Sequence, residues 1–365
     1  MEANVTKLPT YAKLSLILLG IIIFFYILVI GQDIIVPIVF SFIIAILLNP
    51  VVNYFCKKKI NRVLAIVITL LLAMGLVAGL FYFLIAQISM FTESFPVFKE
   101  KFSAMFDETL KWVSQTFNVS EKKIDAWIEK TKGEGMKMST NVIGQTLGTV
   151  SGVLVIVFLL PVYIFMILFY KSLLLEFISR LFKGSQHKVA EDVLFESKGL
   201  IQSYLVGLLF EALIVAVLNS VSLLIIGIQY AILIGIIGAL LNFIPYIGGL
   251  VAIALPMLVA IATDTPIDAL WVFMAYIVVQ FVDNNFIVPA IVASKVKVNA
   301  FVSIIVVLIG GALWGISGMF LSIPLVAILK VIFDRIESLK PFGYLLGDDM
   351  PDSSRTIFHF GKKKK

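Results

Sequence analysis

Long apolar runs dominate the chain, and short polar or charged segments separate them. A helix needs about 20 apolar residues to cross a hydrocarbon core of ~30 Å. The apolar runs predict six full membrane spans, at residues 14–30, 34–52, 63–87, 148–170, 200–227 and 269–292. The pattern changes after the third span: across residues 91–145, charged residues alternate with apolar ones at three- and four-residue steps. That spacing predicts a small amphipathic helical insert.

Two more apolar stretches, residues 231–262 and 301–333, are each interrupted in the middle. Each arm has about a dozen residues, roughly 20 Å as a helix, which is too short to cross the membrane alone. Backbone groups left free at such a break are tolerated at membrane depth only inside protein or beside a water-filled cavity. Each stretch is therefore a re-entrant hairpin or a broken crossing helix, and it marks a site for something polar. The interruptions are Asn242, Pro245, Gly248 and Gly249 in the first stretch, and Gly310, Gly311, Gly315, Ser317 and Gly318 in the second.

Cations in two short loops set the expected orientation. Residues 57–62 carry four cations and no acid, and residues 294–297 carry two lysines and no acid. The positive-inside rule places both loops, and with them both termini, in the cytoplasm. This favours the hairpins, because two full crossings would put residues 294–297 outside.

The predicted fold class is an all-α polytopic membrane protein, with about six full spans and two glycine- and proline-broken segments that form an inverted repeat. The predicted domains are a scaffold of three spans (1–90), an extracytoplasmic amphipathic insert (91–145), a fourth span with a cytoplasmic helical linker (146–199), a transport core (200–333) made of two span-plus-hairpin repeats (200–262 and 267–333), and a cytoplasmic tail (334–365).

Composition agrees with this picture and excludes several classes of function. The chain is 60% hydrophobic and 14% charged, with a mean hydropathy of +1.05, whereas soluble proteins carry about 25% charged residues. The net charge of +6 lies largely in short loops and the lysine-rich C-terminus, so we expect no binding to nucleic acid. One cysteine, two histidines and no phosphate-binding or H-E-x-x-H motif predict a protein that is not an enzyme and holds no cofactor.

Two carboxylates interrupt the apolar runs of the core. Glu211 lies in the middle of the fifth span, and Asp283 lies in the sixth, with Gln280 one turn before it and Asn284 and Asn285 beside it. An ionisable residue inside a membrane span is costly and usually functional. Asp283 with neighbouring amides could hold a proton or a sodium ion. Alternatively, these polar groups satisfy the backbone freed by nearby Pro289.

Three motifs stand out in the second half of the chain. They are the P-Y-I-G element at 245–248, a Q-x-x-D-N element at 280–284 followed by Pro289, and the glycines Gly311, Gly315 and Gly318 before Pro324. Together they resemble the autoinducer-2 exporter family, also called the PerM-type permeases. Gly249 stands where the family usually has proline, and Asn299-Ala300 stands where many members have His-Pro. The resemblance extends over residues 14–333.

This resemblance implies a bacterial inner-membrane transporter and a homo-oligomer. Some members of that family export a furanosyl quorum-sensing signal, and others exchange sodium or lithium for protons. We therefore expect export of a small polar solute by alternating access, with cation/proton antiport as the alternative and a non-transporting scaffold as the third. The expected partners are membrane lipid, a small polar solute, Na⁺ and H⁺. The candidate substrate- or ion-binding residues are Glu211, Asn242, Pro245, Tyr246, Gly248, Gly249, Gln280, Asp283, Asn284, Asn285, Gly311, Gly315 and Gly318.

Overall fold

The computed structural model describes residues 9–117, 158–244, 247–263, 266–292 and 297–348. All regular structure in these ranges is helical, which confirms the all-α fold. The helices are α1 (Thr10–Ile30), α2 (Gln32–Lys57), α3 (Arg62–Phe117), α4 (Phe158–Phe169), α5 (Lys171–Leu181), α6 (Ser185–Ile226), α7 (Ala231–Leu241), α8 (Ile247–Thr263), α9 (Pro266–Val282), α10 (Ala300–Arg335) and α11 (Lys340–Leu346). A π-helical segment, Asp283–Val292, continues α9.

By length and composition alone, six helices in the described ranges could cross a membrane, α10 among them, which confirms a multi-pass membrane protein. The helix α1 illustrates this character, because none of its residues is buried within the chain although it is apolar throughout. Its side chains are therefore available to lipid. The described part of the predicted fourth span, α4, is short and bends by 61° into the amphipathic α5.

Two helices run further than the change from apolar to charged residues predicts. The helix α3 spans 56 residues without a break, so the third span and the first amphipathic part of the insert form one helix. The rest of the insert, from residue 118 to residue 145, lies outside the described residues. Likewise α6 joins the second half of the predicted linker to the fifth span, and it ends only at Gly227, which has φ 92°. Polarity alone does not stop a helix, whereas a glycine in the left-handed conformation does.

The first broken segment forms a hairpin of α7 and α8. The helix α7 has 11 residues and α8 has 17, and the chain turns between them after Leu241. A Cβ at Gly238 on α7 would lie 3.6 Å from the Cβ of Ala252 on α8, so the two arms run side by side. At 1.5 Å per residue, α7 is ~16 Å long and reaches about half-way through a ~30 Å core.

The second broken segment is also a hairpin, because α10 consists of two helical arms that meet at a turn. Trp314 and Gly315 have non-helical backbone angles, with φ 58° at Gly315. Beyond this turn, the Ser322 hydroxyl donates to the carbonyl of Val306, sixteen residues earlier, over 2.8 Å. In a straight helix those residues would be ~24 Å apart. The helix α10 therefore folds back on itself and does not cross the membrane as one rod.

The two hairpins open toward opposite ends of α6. The open end of the first lies beside the C-terminal end of α6, where Leu223 packs with Ala260 and Ala269. The open end of the second lies beside the N-terminal half of α6, because Arg335 pairs with Glu196 there. Their inner parts meet, with the rings of Phe243 and Phe320 6.3 Å apart. An internal symmetry that relates the two units stays a prediction.

Candidate functional site

A bridged pair of carboxylates lies where the first hairpin meets α6 and α9. The side-chain amide nitrogen of Asn242 donates to Asp283 Oδ2 over 2.8 Å and to Glu211 Oε1 over 3.4 Å. Glu211 is 7% exposed and Asp283 is 1% exposed. We call Glu211, Asn242 and Asp283 the acidic site. Both carboxylates that the sequence singled out therefore belong to one site, and one predicted amide joins them.

Each residue of the acidic site occupies a distinct position in its helix. Glu211 lies well inside α6, with 15 residues, or ~22 Å, between it and the end of that helix at Ile226. Asn242 is the C-cap of α7, at the tip of the first hairpin. Asp283 begins the π-helical segment. Wider turns of this kind are frequent at functional sites, and Pro289 within the segment removes one backbone donor.

The acidic site is short of compensating groups. One amide serves two carboxylates, and Asp283 Oδ1 has no hydrogen-bond partner among the described residues. Burying an ionised carboxylate without a partner is strongly unfavourable. A proton or a cation bound between the carboxylates would remove that cost. Within the described ranges, no group of three or more histidine, cysteine or acidic side chains could hold a metal ion.

Two glycines of the first hairpin shape its turn beside the acidic site, and Gln280 of α9 lies against one of them. A Cβ at Gly248 would collide with the carbonyl of Leu241, so glycine is required where α8 begins. A Cβ at Gly249 would lie 3.2 Å from the side-chain oxygen of Gln280, which places the Gln280 amide against the start of α8. Pro245 and Tyr246 lie outside the described residues.

Other predicted residues do not join the acidic site. Asn284 and Asn285 are exposed, because residues that follow Asp283 on a helix point away from it. Asn285 donates to the carbonyl of Phe281, one turn before it. In the second hairpin, Gly318 contacts the opposite arm and Gly311 lies beside Met319, while Gly315 forms the turn. These three glycines build the hairpin.

Several polar residues that are buried near the acidic site were not predicted from the sequence. Asn219 and Ser220 on α6 and Tyr276 on α9 are 2%, 9% and 2% exposed. A signal for two of them was present: Asn219 is eight residues after Glu211 and Tyr276 is seven before Asp283, about two helical turns in each case. Neither residue is ionisable near neutral pH, so neither stands out in an apolar run as a carboxylate does.

A charged cleft of about 670 Å³ lies between the N-terminal half of α6 and the C-terminal arm of α10. Arg335 crosses it, with its guanidinium 2.7 Å from Glu196 and 3.4 Å from Asp192. Of the α6 residues that line the cleft, Ser203 is the one closest to Glu211 along the helix. An apolar cluster that includes Leu208 of α6 and Leu321 of α10 separates this cleft from Glu211.

A comparison with known families decides the identity of the chain. The model of the family described as AI-2E family transporter matches residues 16–338. The chain belongs to the AI-2E transporter family. The match covers all the described spans and both hairpins, so the chain is a multi-pass membrane transporter of this family.

Curated relatives of this AI-2E transporter come from several bacteria. YrrI of Bacillus subtilis (strain 168), whose provisional name is transport protein, is 28% identical over 311 residues, which are 82% of this chain and 86% of YrrI. The AI-2 transport protein TqsA of Escherichia coli (strain K12) is 23% identical over 319 residues, 87% of this chain and 90% of TqsA. PerM of Escherichia coli (strain K12), provisionally named a permease, is 25% identical over 213 residues, 57% of this chain and 60% of PerM.

Proposed function

We propose that this AI-2E transporter is a secondary transporter that works by alternating access and binds a proton or a sodium ion between Glu211 and Asp283. The observation that carries this proposal is the contact of Asn242 with both buried carboxylates at the tip of the hairpin of α7 and α8. A charged pair at that depth is costly in an occluded state. A bound cation neutralises the charge of the two carboxylates, so the site can close. Release of the cation on the opposite side of the membrane restores that charge and favours reopening.

The surroundings of the acidic site support alternating access. The two hairpins open toward opposite ends of α6, and their tips meet close to the acidic site through Phe243 and Phe320. On one side the apolar cluster of Leu208 and Leu321 separates the site from the charged cleft. On the other side Val215 forms a smaller apolar cluster with residues of α7 and α9. Movement of a hairpin against α6 opens one of these two barriers while the other stays closed.

Export of a small polar solute of the AI-2 type is the second candidate for the transported species. It is favoured by the name of TqsA, which aligns with 87% of this chain. Asn242 and Gln280 could bind hydroxyl groups of such a solute, in which case the cation at the acidic site drives its export. We place the transporter in the bacterial inner membrane with both termini in the cytoplasm, because the cations of the loop after α2 favour that side.

The test of the proposed function uses the full chain in proteoliposomes with an imposed pH gradient. Addition of NaCl should dissipate the gradient, and Glu211→Gln and Asp283→Asn should each slow this exchange at least tenfold. Glu176→Gln is the matched control, because Glu176 pairs with Arg180 on the exposed surface of α5. Exchange at the wild-type rate in both carboxylate variants would exclude the acidic site as the carrier of the cation. Uptake of candidate solutes into everted vesicles then tests the second candidate.

A further inference from the structure

A second, uncharged polar cluster lies about two helical turns from the acidic site. Asn219 on α6 and Tyr276 on α9 are each 2% exposed. A Cβ at Gly238 on α7 would lie 3.3 Å from the amide nitrogen of Asn219 and 3.3 Å from the hydroxyl oxygen of Tyr276. The two polar groups therefore border the same glycine. We call Asn219, Gly238 and Tyr276 the amide–tyrosine site.

Two atoms of this site are buried without a hydrogen bond. Asn219 Oδ1 and the Tyr276 hydroxyl oxygen have no partner in the parts of the chain that the structure describes. An unsatisfied buried polar group costs more free energy than a typical hydrogen bond contributes on balance. Phenylalanine and leucine at these two positions would avoid that cost. The presence of both polar groups at one place points to a molecule that binds them.

The amide–tyrosine site lies in line with the acidic site. On each of the three elements, one residue of a small apolar cluster separates the two sites: Val215 on α6, Ala239 on α7 and Val279 on α9. The distance along α6 from Glu211 to Asn219 is ~12 Å. The side chains of this barrier are small, so a molecule that moves from one site to the other displaces little apolar volume.

The chemistry of the site selects a hydroxyl group. Asn219 Oδ1 accepts a hydrogen bond, and the Tyr276 hydroxyl both donates and accepts, while neither group carries charge at neutral pH. A hydroxyl is both donor and acceptor, so it can donate to Asn219 Oδ1 and can donate to or accept from the Tyr276 hydroxyl. A cation would find no carboxylate there, and an anion would find no positive charge. Gly238 leaves space at the site, because a side chain at that position would crowd both polar groups.

We propose that Asn219 and Tyr276 bind a hydroxyl group on the side of the acidic site away from the charged cleft, supplied either by a polyhydroxy solute or by water. The solute form rests on the proposed function, since the occupant is then the transported molecule. If the hydroxyl belongs to water, that water molecule lies on the path by which a cation reaches the carboxylates. Both forms make the same prediction about the stability of the protein.

The first test is the sign of a stability change in the full chain in lipid nanodiscs. If a hydroxyl-bearing molecule satisfies Tyr276, Tyr276→Phe removes a hydrogen bond and lowers Tm by a few degrees. If the hydroxyl is unsatisfied, the same variant removes the cost of burying it, so Tm stays the same or rises, and the proposal is overturned. Phenylalanine keeps the ring, so folding is preserved. Tyr26→Phe, at a residue 64% exposed on α1, is the matched control and should not change Tm.

Two further measurements distinguish the sources of the hydroxyl group. D-ribose, used as a neutral polyol, should raise the Tm of the wild type but not of Tyr276→Phe or Asn219→Ser if a solute is bound. If water is bound, ribose has no effect and radiolytic hydroxyl radicals label Tyr276. If ribose has no effect and Tyr276 is not labelled, the proposal is overturned.

Both measurements are repeated in the Glu211→Gln/Asp283→Asn double variant, which lacks both carboxylates of the acidic site. A persistent ribose shift or Tyr276 label there supports the amide–tyrosine site even if cation exchange never depended on the acidic site. Loss of both signals in the double variant, with the fold intact, would overturn a separate site. Failure of the proposed function is read from the exchange assay alone, so the two outcomes remain distinct.

Discussion

Gly318 should be intolerant of alanine, because it is where the two arms of the second hairpin touch. A Cβ at position 318 would lie 2.6 Å from the carbonyl carbon of Gly310 and 3.0 Å from the Cβ of Trp314, and closer still to the Gly310 carbonyl oxygen. Ordinary van der Waals contact begins at 3.4 Å. The arms must therefore separate by on the order of 1 Å at this point, since the obstacle is backbone in a packed interior.

The cost of this separation follows from two terms. Overpacking costs about 1–3 kcal/mol. The contact of the Ser322 hydroxyl with the Val306 carbonyl, 2.8 Å long, would stretch beyond a useful distance. The hydroxyl keeps the Gly318 carbonyl as an acceptor at 2.6 Å, so this loss adds up to about 1 kcal/mol. We expect Gly318→Ala to destabilise the protein by ~1–4 kcal/mol, or roughly 1–5 °C in Tm for a chain of this size.

The assay is thermal unfolding of the purified protein in nanodiscs, with Gly79→Ala as the matched control. Gly79 lies within α3 and has no atom within 4 Å of an added Cβ. Alanine there gains helix propensity, up to about 1 kcal/mol, so Tm should stay the same or rise slightly. If Gly318→Ala unfolds at or above the temperature of this control, the arms of the hairpin are not in contact at Gly318, and the inference that α10 folds back fails.

Three other predictions follow from single contacts. Asn242→Ala leaves both carboxylates without their shared donor and should slow sodium/proton exchange at least tenfold, whereas Asn285→Ala, at an exposed residue outside the acidic site, should stay within twofold in the same assay. Arg335→Glu should lower Tm by under about 2 °C at low salt, since its ion pairs are exposed; Glu196→Arg in the same protein should restore Tm, and 0.5 M NaCl should abolish the difference. Trp314→Phe removes the indole hydrogen bond to a carbonyl of α1, 2.9 Å long, and should cost about 1 kcal/mol in thermal unfolding, with no loss if α1 is not held there.

The sequence predicted the features that single residues encode locally. Glycine and proline mark both hairpins, since each disrupts helix geometry wherever it occurs. Glu211 and Asp283 stood out because charge within an apolar run is costly. The shared contact of the two carboxylates with Asn242 was harder to predict, because Asn242 is 31 residues from Glu211 and 41 from Asp283 in the sequence. Such a contact depends on how α6, α7 and α9 pack.

Helix boundaries and uncharged polar sites were harder to predict. The span and the charged segments of α3 and α6 were separated on polarity, but helices propagate through charged residues, which have high helix propensity. Tyr276 and Asn219 occur in apolar runs where tyrosine and asparagine are also compatible with ordinary packing. Only the three-dimensional contacts show that both border Gly238, and that Asn219 Oδ1 and the Tyr276 hydroxyl have no hydrogen-bond partner among the described residues.

The uninterrupted helix α6 has a mechanical consequence. It carries Glu211 within the membrane and, ~39 Å away at its other end, begins at Ser185. A rigid rod of that length acts as a lever about the membrane interior, so a tilt of about 5° moves the Ser185 end by roughly 3 Å while Glu211 shifts little. Arg335 of α10 forms an ion pair with Glu196, which lies on α6 between those two points. A partner or a force that acts on the Ser185 end of α6 would therefore tilt the helix about the carboxylates without any contact inside the bilayer.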